Sequence, residues 1–294
     1  METFAFSKIM NNRRQKFTIL FAATALLGAA LTATRMQAEA ETQSGVDRIV
    51  VTLDDPSRPC SVIASMVNGS ITVKGYDGKE VIVEARARER EKERPESGPK
   101  RLNISTTGLS VESENNEVRV STESWARTID LTITVPAHAS LKLRAVNDGD
   151  IVVTGVDGEL DVDDVNGSVT LNSISGSAVA HALNGHLHAT FTKVSPQKAM
   201  AFSSLNGDID VTFPADVKAN VSIKSDRGDV FSDFDVQMQA TAPKQEVEDG
   251  REHGGKYRVK IDKTVHGTIN GGGPEYQFTN FNGAIYIRRA GSPK

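Results

Sequence analysis

Glycine recurs every nine residues through the middle of this chain of 294 residues. Residues 145–189 read AVNDGDIVVTGVDGELDVDDVNGSVTLNSISGSAVAHALNGHLHA, and the repeating glycines are Gly149, Gly158, Gly167, Gly176 and Gly185. A fixed period of this kind is typical of a repeat architecture, in which each unit stacks on the one before it. The spacing therefore constrains the fold more than any other feature of the sequence.

Apolar residues occupy three fixed positions after each glycine. The residues two positions on are Ile151, Leu160, Val169, Ala178 and Leu187, those four positions on are Val153, Val162, Leu171, Ala180 and Ala189, and those seven positions on are Val156, Val165, Ile174, Leu183 and Thr192. Residues two apart lie on one face of a strand. Each unit is thus predicted to be a short strand with one buried face, followed by a turn that returns the seventh residue to the core.

Asn or Asp precedes most of these glycines, as in Asn166-Gly167 and Asn184-Gly185. Asn, Asp and Gly tolerate the left-handed backbone conformation that excludes most other residues. We therefore expect the chain to turn at each glycine, and we expect Gly167 and Gly185 to have positive φ angles.

The repeat predicts an all-β fold, a β-solenoid that resembles a parallel β-helix, with two units or about 18 residues in each coil. An antiparallel β-meander is the alternative, because Asn-Gly also favours two-residue hairpins. The solenoid is preferred because the inward positions keep the same phase from unit to unit. The small residues Ala178, Ala180 and Ala189 also cluster as stacked layers would.

Shorter copies of the repeat occur on both sides of the regular tract, around Gly69, Gly207, Gly228 and Gly283. They extend the predicted solenoid to a single domain over residues 46–290. Two polar stretches interrupt the pattern, at about residues 88–101 and 237–256, and we expect both to be loops.

Residues 1–40 have the pattern of a secretory signal peptide. A basic stretch at residues 11–16 precedes an apolar run at residues 17–33, and Ala38-Glu39-Ala40 matches a signal peptidase site. Cleavage there predicts an exported protein, periplasmic or at the cell surface, with no membrane span left. Retention of the segment as a membrane anchor is the alternative.

Charge and cysteine content narrow the function classes. Residues 1–40 carry five Lys or Arg and two Asp or Glu, so the rest of the chain has a net charge of −7, against −4 for the whole. An acidic chain with 5% aromatic residues is not suited to binding nucleic acid. The one cysteine, Cys60, excludes an internal disulfide, and we expect it to be buried and unreactive.

Three histidines lie close together in the sequence HALNGHLH: His181, His186 and His188. An 18-residue coil would place His181 beside Asp163, which makes these four residues weak candidates for a metal site. Solvated side chains on a polar face explain them better, so we expect no metal and no cofactor. We find no motif for a nucleophile, a zinc protease or a pair of carboxylates, and therefore no predicted catalytic residue.

Three segments of the sequence resemble one known family: LTITVPAHASLKLRAVNDGDIVVTGVDGELDVDDVNGSVTL, SLNGDIDVTFP and GTINGGGPEYQFTNFNGAIYIRR. They are similar to the bacterial DUF4097 family of adhesin-like repeat proteins, whose function is unknown. The resemblance covers about residues 46–289. It implies an extracytoplasmic β-solenoid, and its motifs carry no chemistry.

These observations favour a non-enzymatic, exported scaffold that binds an unknown partner in the envelope or at the cell surface. The binding surface would be a flat outer sheet with columns such as Asp150, Ser168 and His186. The alternative is a carbohydrate-processing β-helix enzyme, because some β-helices cleave polysaccharides. Such an enzyme needs an acidic cluster in a groove, and the outward positions of the repeat are mixed Ser, Thr, Asn and Asp.

Overall fold

A computed structural model of the protein describes residues 39–43, 46–88, 107–122, 127–239, 245–249, 257–261 and 264–292, with the segments at 39–43, 245–249 and 257–261 described by their backbone. Most of the predicted signal peptide and most of the predicted loop at residues 88–101 lie outside these ranges. The described segments contain no helix, and hence none with the length and apolar character to cross a membrane.

Twenty-three strands make up the fold within the described ranges. They are β1 (Glu39–Gln43), β2 (Val46–Thr52), β3 (Cys60–Asn68), β4 (Ile71–Tyr76), β5 (Glu80–Ala87), β6 (Leu109–Glu114), β7 (Glu117–Thr122), β8 (Ile129–Pro136), β9 (Ala139–Asn147), β10 (Ile151–Thr154), β11 (Asp157–Asp164), β12 (Val169–Ala182), β13 (Leu187–Val194), β14 (Met200–Asn206), β15 (Ile209–Phe213), β16 (Ala219–Ser225), β17 (Val230–Ser232), β18 (Gln237–Met238), β19 (Gln245–Asp249), β20 (Tyr257–Ile261), β21 (Val265–Ile269), β22 (Glu275–Asn282) and β23 (Ile285–Arg289).

The strands form a β-solenoid with two parallel faces. Face 1 contains, in spatial order, β8, β4, β10, the first half of β12, β13, β15, β23 and β17. Face 2 contains β7, β3, β9, β11, the second half of β12, β14, β22 and β16. Every one of these pairings is parallel, so the antiparallel meander is wrong for the coils.

The register gives the length of a coil. Ile151 pairs with Val169 and Val169 with Leu187, which is 18 residues each time, as the sequence predicts. Leu187 pairs with Ile209, so the next coil takes 22 residues. Each coil crosses from face 2 to face 1 at an edge that contains the Asn-Gly pairs, here called the Asn edge, and returns at the opposite edge.

The two inward positions of each repeat unit are buried, as predicted. Residues two and four positions after the glycines, from Ile151 to Ala189, are no more than 3% exposed. They pack between the two faces and form one continuous core. Cys60 is also buried in this core, at 2% exposure, and burial raises the pKa of its thiol.

The third apolar position of the repeat behaves differently from our expectation. Val156 and Ile174 are buried, but Val165 is only partly buried, and Leu183 and Thr192 are exposed. The reason is that consecutive nine-residue units end at opposite edges of the coil. At the edge opposite the Asn edge Val156 and Ile174 point into the core, and at the Asn edge the seventh residue points out of the solenoid. Thr192 departs from this rule, because a register shift pairs Ile174 with Phe191, and Phe191 takes the inward position instead.

The core changes in character along the solenoid axis. Valine, leucine and isoleucine fill the N-terminal coils, and alanines 178, 180, 182 and 189 fill the middle. Aromatic rings fill the C-terminal coils, where the Phe191 ring stacks on Phe213 at 5.3 Å and the Phe202 ring stacks on Phe278 at 5.4 Å. The alanines lie in register with larger side chains, as Ala180 does with Phe202 and Ala189 with Leu171, so small and large residues alternate between neighbouring coils there.

Antiparallel strands close both ends of the solenoid. At the N-terminal end β8 pairs with β5, β5 with β2 and β2 with β1, while β6 pairs with β7. At the C-terminal end β16 pairs with β21, and β21 with β18. The range 237–256, predicted to be a loop, contains β18 and β19.

The burial pattern predicts that Val162→Asp destabilises the protein by about 3 kcal/mol or more, because it places an unpaired carboxylate where the exposure is 0%. The matched control is Asp161→Ala on the same strand. Asp161 points outward and forms only long ion pairs, at 3.7 Å with Lys142 and 3.8 Å with Arg144, so its replacement should cost within about 0.5 kcal/mol. Urea unfolding measures both, and equal costs would contradict the inward and outward assignments.

Candidate binding surfaces

Seven glycines stack on one another at the Asn edge. In spatial order this glycine column is Gly69, Gly149, Gly167, Gly185, Gly207, Gly283 and Gly228. A β-carbon on Gly167 would lie 2.1 Å from the carbonyl oxygen of Gly149, and one on Gly185 would lie 2.1 Å from the carbonyl oxygen of Gly167. The glycines are therefore needed because the coils approach each other too closely at this edge for any side chain.

Our prediction of positive φ angles at Gly167 and Gly185 is wrong. Neither residue is among those with positive φ in the described chain. In the coil before them it is Asp148, not Gly149, that has a left-handed φ of 62°. Gly158 and Gly176 stack at the opposite edge, where Gly176 has a φ of 111° and where a β-carbon on Gly176 would lie 2.1 Å from the carbonyl oxygen of Gly158.

Asparagine side chains run beside the glycine column as a hydrogen-bonded ladder. The Nδ2 of Asn166 donates to Oδ1 of Asn147 at 2.8 Å, that of Asn184 to Asn166 at 2.9 Å, and that of Asn206 to Asn184 at 2.9 Å. An asparagine in this ladder can donate a hydrogen bond to one neighbouring coil and accept one from the other, because its side-chain amide has both N–H donors and a carbonyl acceptor. The ladder ties successive coils together at the turn.

The residues directly after the glycines form a second ladder, which includes the predicted binding column Asp150, Ser168 and His186. Oδ1 of Asp150 accepts from the N–H of Ser168 at 2.7 Å, and Oγ of Ser168 accepts from the N–H of His186 at 3.3 Å. Nδ1 of His186 in turn accepts from the N–H of Asp208 at 3.1 Å. These side chains help to hold successive coils together, and Asp150 and His186 remain exposed at the surface.

The four metal candidates of the sequence do not converge. His181 lies beside Asp163 in the register, as the 18-residue coil predicts, and its Nδ1 contacts Oγ of Ser203. His188 points outward on face 1, where its Nε2 is 3.4 Å from Oγ1 of Thr190. Across the described ranges no three His, Cys, Asp or Glu side chains are arranged to hold a metal ion.

Face 2 presents charged side chains that neutralise one another. Arg144 bonds Asp163 at 2.9 Å and lies 3.8 Å from Asp161, which also pairs with Lys142 at 3.7 Å. Cations of β9 thus lie against carboxylates of the next coil. Such exposed pairs add little stability, but they leave little unpaired charge at the centre of face 2.

Face 1 presents an outward surface dominated by threonine. One outward column contains Thr132, Thr72, Val152, Thr170, His188, Asp210, Tyr286 and Phe231. The neighbouring outward positions are Thr134, Lys74, Thr154 and Asn172, followed by Thr190, Thr212 and Arg288. Short hydroxyl side chains therefore repeat at the coil spacing over most of this face.

Aromatic residues end the threonine surface at the C-terminal coils. The Phe231 ring is 49% exposed and stacks on Tyr286 at 5.1 Å. The Arg288 guanidinium lies 4.8 Å from the Tyr286 ring and bonds both carboxylate oxygens of Asp210, at 2.8 and 2.9 Å. The cluster of Phe231, Tyr286 and Arg288 was not predicted, although the alternation of Ile285, Tyr286 and Ile287 already indicates that the tyrosine points outward.

A shallow depression of about 450 Å³ lies on the β6–β7 hairpin. It is lined by Glu112, Ser113, Glu114, Asn115, Glu117 and Arg119. Arg119 pairs with Glu117 at 2.6 Å. The hydroxyl in this lining, Ser113, has a buried Oγ without a hydrogen-bond partner, whereas an activated nucleophile is hydrogen-bonded to its base.

Among the described residues, Asp164 is the one buried acidic side chain. Its burial was not predicted from the sequence. Its exposure is 0%, and within the described chain neither carboxylate oxygen has a hydrogen-bond partner of good geometry. Its pKa is raised to about 6, chiefly by burial and then by the charge of Asp150, while the nearby N–H groups of Asn166 and Gly167 act in the opposite direction. Alternation along β11 predicts an outward residue after Val162, and then an inward one at this position.

Other coils show what the position of Asp164 requires. Asp164 is in register with Ala182, Ala182 with Ser204, and Ser204 with Asn280. Oγ of Ser204 donates to the carbonyl of Gly185 at 3.1 Å, and Nδ2 of Asn280 donates to that of Gly207 at 3.0 Å. Both reach the glycine of the preceding coil, so a polar side chain at this position is satisfied as a donor, while the alanine at residue 182 leaves the position apolar. A carboxylic acid supplies a donor only when it is protonated.

The fold defines a β-solenoid protein whose outer faces, rather than a cavity, offer the surfaces for binding. The profile of the family described as Toastrack DUF4097 matches residues 61–270 of this sequence. The chain therefore belongs to the DUF4097 family, which confirms the resemblance found in the sequence. No curated protein matches it significantly.

Two solved structures are similar to the chain. One is a putative cell adhesion protein from Clostridium sporogenes, with a TM-score of 0.40 and 9% identity, covering 86% of this chain and 100% of that one. The other is a putative adhesin from Bacteroides fragilis, with a TM-score of 0.38 and 13% identity, covering 84% of this chain and 98% of that one.

The glycine column predicts that Gly167→Ala costs at least about 2 kcal/mol more than Gly271→Ala. A β-carbon at residue 167 meets a backbone carbonyl that cannot move without shifting a coil. At Gly271 the φ is +85° and nothing lies within 4 Å, so the cost is only the left-handed strain of about 1 kcal/mol. Thermal unfolding of the two variants tests this. A Gly167→Ala variant as stable as Gly271→Ala would show that the coils can separate at this edge.

The buried Asp164 predicts a stability that falls as the pH rises from about 4 to about 7. The folded pKa of about 6 lies above the ordinary value of 3.8, so in this window the folded state holds a proton that the unfolded state has lost. The loss is about 3 kcal/mol for this shift. Asp164→Asn should abolish that loss and raise stability at pH 8, because the amide can donate as Asn280 does. Urea unfolding at several pH values measures the effect, and the same slope in Asp164→Asn would assign it to other groups. Asp216→Asn is the control, since Asp216 is exposed and lies outside this group of side chains.

Proposed function

We propose that this protein is exported and acts as a non-enzymatic, adhesin-like scaffold that binds an envelope or surface partner through face 1. The observation that supports this most is the outward threonine surface, which repeats at the coil spacing and ends in the Phe231–Tyr286 stack. Export is supported by the signal-peptide pattern at residues 1–40.

The chemistry of face 1 favours an extended, uncharged and hydroxyl-rich partner, such as an envelope glycan. Threonine hydroxyls donate and accept hydrogen bonds without requiring a counter-charge. Exposed aromatic rings beside them offer an apolar contact with a polar rim. Face 2 is less suited, because Arg144 and Asp163 already satisfy each other.

Repetition compensates for the weakness of each contact. A single hydroxyl contact on a flat surface contributes little, but a polymer that touches several coils makes each later contact intramolecular. The seven outward threonines of face 1 occur on six strands, β8, β4, β10, β12, β13 and β15. A scaffold of this kind needs no reaction centre. Asp164, the carboxyl group with the raised pKa, is shut inside the core and away from any substrate.

Binding to isolated bacterial cell envelopes tests the proposal. Thr170→Arg on face 1 should weaken co-sedimentation by about tenfold or more, because the long cation covers the hydroxyl surface. Ala201→Arg is the matched control. Like Thr170, Ala201 points outward and is half-buried, but it lies on face 2. Equal binding by both variants would contradict face 1 as the site. A chain purified from cells that still begins at Met1 would contradict cleavage of the signal peptide and would favour the membrane-anchored form. If the purified protein degraded a polysaccharide, and if one point mutation abolished that activity, the alternative of a carbohydrate-processing β-helix enzyme would be favoured.

A further inference from the structure

An exposed apolar ridge runs along the Asn edge over six successive coils. It consists, in spatial order, of Val67, Val146, Val165, Leu183, Leu205 and Phe281. All but Val165, which is partly buried, are between 37% and 50% exposed. These are the residues that precede the asparagines at this edge, and they include the seventh positions, Val165 and Leu183, that were expected in the core.

Backbone hydrogen bonds show that the ridge is continuous. The N–H of Asn166 donates to the carbonyl of Val146, that of Asn184 to Val165, and that of Asn206 to Leu183, at 2.9 to 3.1 Å. Each ridge residue is thus one coil from the next. At the C-terminal end the Arg227 guanidinium lies 5.1 Å from the Phe281 ring.

The spacing of the ridge restricts what can pack along it. Coils repeat at about 4.8 Å, so the ridge spans about 24 Å over its five intervals. A helix repeats at about 5.4 Å per turn and would be about 3 Å out of step at the far end. An extended strand presents one face every 6.8 Å or so and loses step sooner. A second solenoid has the same period and stays in step throughout.

Side-chain sizes along the ridge indicate the direction of packing. The first three residues are valines, and the last three are Leu183, Leu205 and Phe281. If a second copy runs antiparallel, every valine faces a larger residue: Val67 meets Phe281, Val146 meets Leu205, and Val165 meets Leu183. A parallel copy would oppose the two phenylalanines at one end and leave a gap between valines at the other. Close packing favours the antiparallel order.

Polar residues beside the ridge complement one another in the same arrangement. The two-fold axis of the antiparallel pair falls between Val165 and Leu183. The outward residues two positions earlier on each strand are Asp163 and His181. The axis brings Asp163 of one copy opposite His181 of the second copy, twice by symmetry. A carboxylate therefore faces an imidazole on both sides of the axis.

We propose that two copies of this protein associate antiparallel through the apolar ridge. The surface is self-complementary in size and period, which is what a two-fold interface requires. The ridge has the few hundred Å² of a typical functional apolar patch, less than the roughly 800 Å² per partner of a stable complex. The dimer is accordingly weak, with a Kd on the order of micromolar. It uses the edge of the solenoid, and so it does not depend on ligand binding at face 1.

Sedimentation velocity tests the association with protein purified from cells that express the full chain, across roughly a hundredfold range of concentration. The wild type should shift from monomer to dimer, and Leu183→Glu should raise the Kd by at least about tenfold. Val179→Glu is the matched control: Val179 lies on β12, four residues before Leu183, and is 38% exposed, against 43% for Leu183, but it lies off the ridge. A wild type that stays monomeric, or equal effects of the two variants, would overturn the proposal.

Disulfide trapping tests the direction and does not depend on the glutamate variant. A mixture of Val146→Cys and Leu205→Cys should form a mixed disulfide, because the antiparallel pair places these residues opposite each other. Either variant alone should not cross-link, since its two copies lie three coils or about 14 Å apart, beyond the 7 Å or so that a disulfide spans between α-carbons. Cys60 is buried and does not interfere. Cross-links between like variants, or none in the mixture, would overturn the antiparallel pairing.

Discussion

Successive coils meet at the Asn edge with no room for a side chain between them, and the rest of the molecule depends on this approach. The carbonyl oxygen of Gly149 would lie 2.1 Å from a β-carbon on Gly167. Only a hydrogen atom fits there, which leaves a close Cα–H to carbonyl contact. With the turns in contact, the strands on both sides come within hydrogen-bonding distance, and the asparagine ladder can reach from coil to coil. The parallel register of both faces follows from this one constraint.

The same edge divides the apolar residues into two groups. At the opposite edge the residue seven positions after the glycine turns inward, so Val156 and Ile174 complete the core. At the Asn edge the chain passes from face 2 to face 1 with the glycine inside the turn, and the equivalent residue is left outside. One sequence position in a nine-residue repeat thus has two environments, because a coil contains two units that are not equivalent.

Much of the fold was predictable from the sequence because its period is local. The two inward columns, the parallel stacking and the 18-residue coil all follow from the spacing of Gly149, Gly167 and Gly185. The exposure of Leu183 was missed because the nine-residue period treats all units as equivalent, although Asn-Gly at residues 166–167 and 184–185 alternates with Ser-Gly at residues 175–176 and so marks two different edges. The burial of Asp164 follows the alternation along β11, whereas the stack of Phe231 on Tyr286 depends on a neighbour one coil away. For Phe231 that neighbour is distant in sequence, and local patterns carry no information about it.

The order of the coils has a consequence for how the chain folds. Strands β22 and β23 come after β16 and β17 in the chain, yet they lie between those strands and the coil of β14 and β15. The coil of β16 and β17 therefore has no parallel neighbour until β22 and β23 have been synthesised, and before then β16 can pair only with the antiparallel strand β21. We expect β9 to β15 to fold first, from contacts close in sequence, and the final coils to join together in one late step. During that interval the edge strands β14 and β15 are open, and a partly made chain is most prone to aggregate there. Folding thus starts in the central coils, and strands β22 and β23 complete the sheet by pairing on both sides at the end.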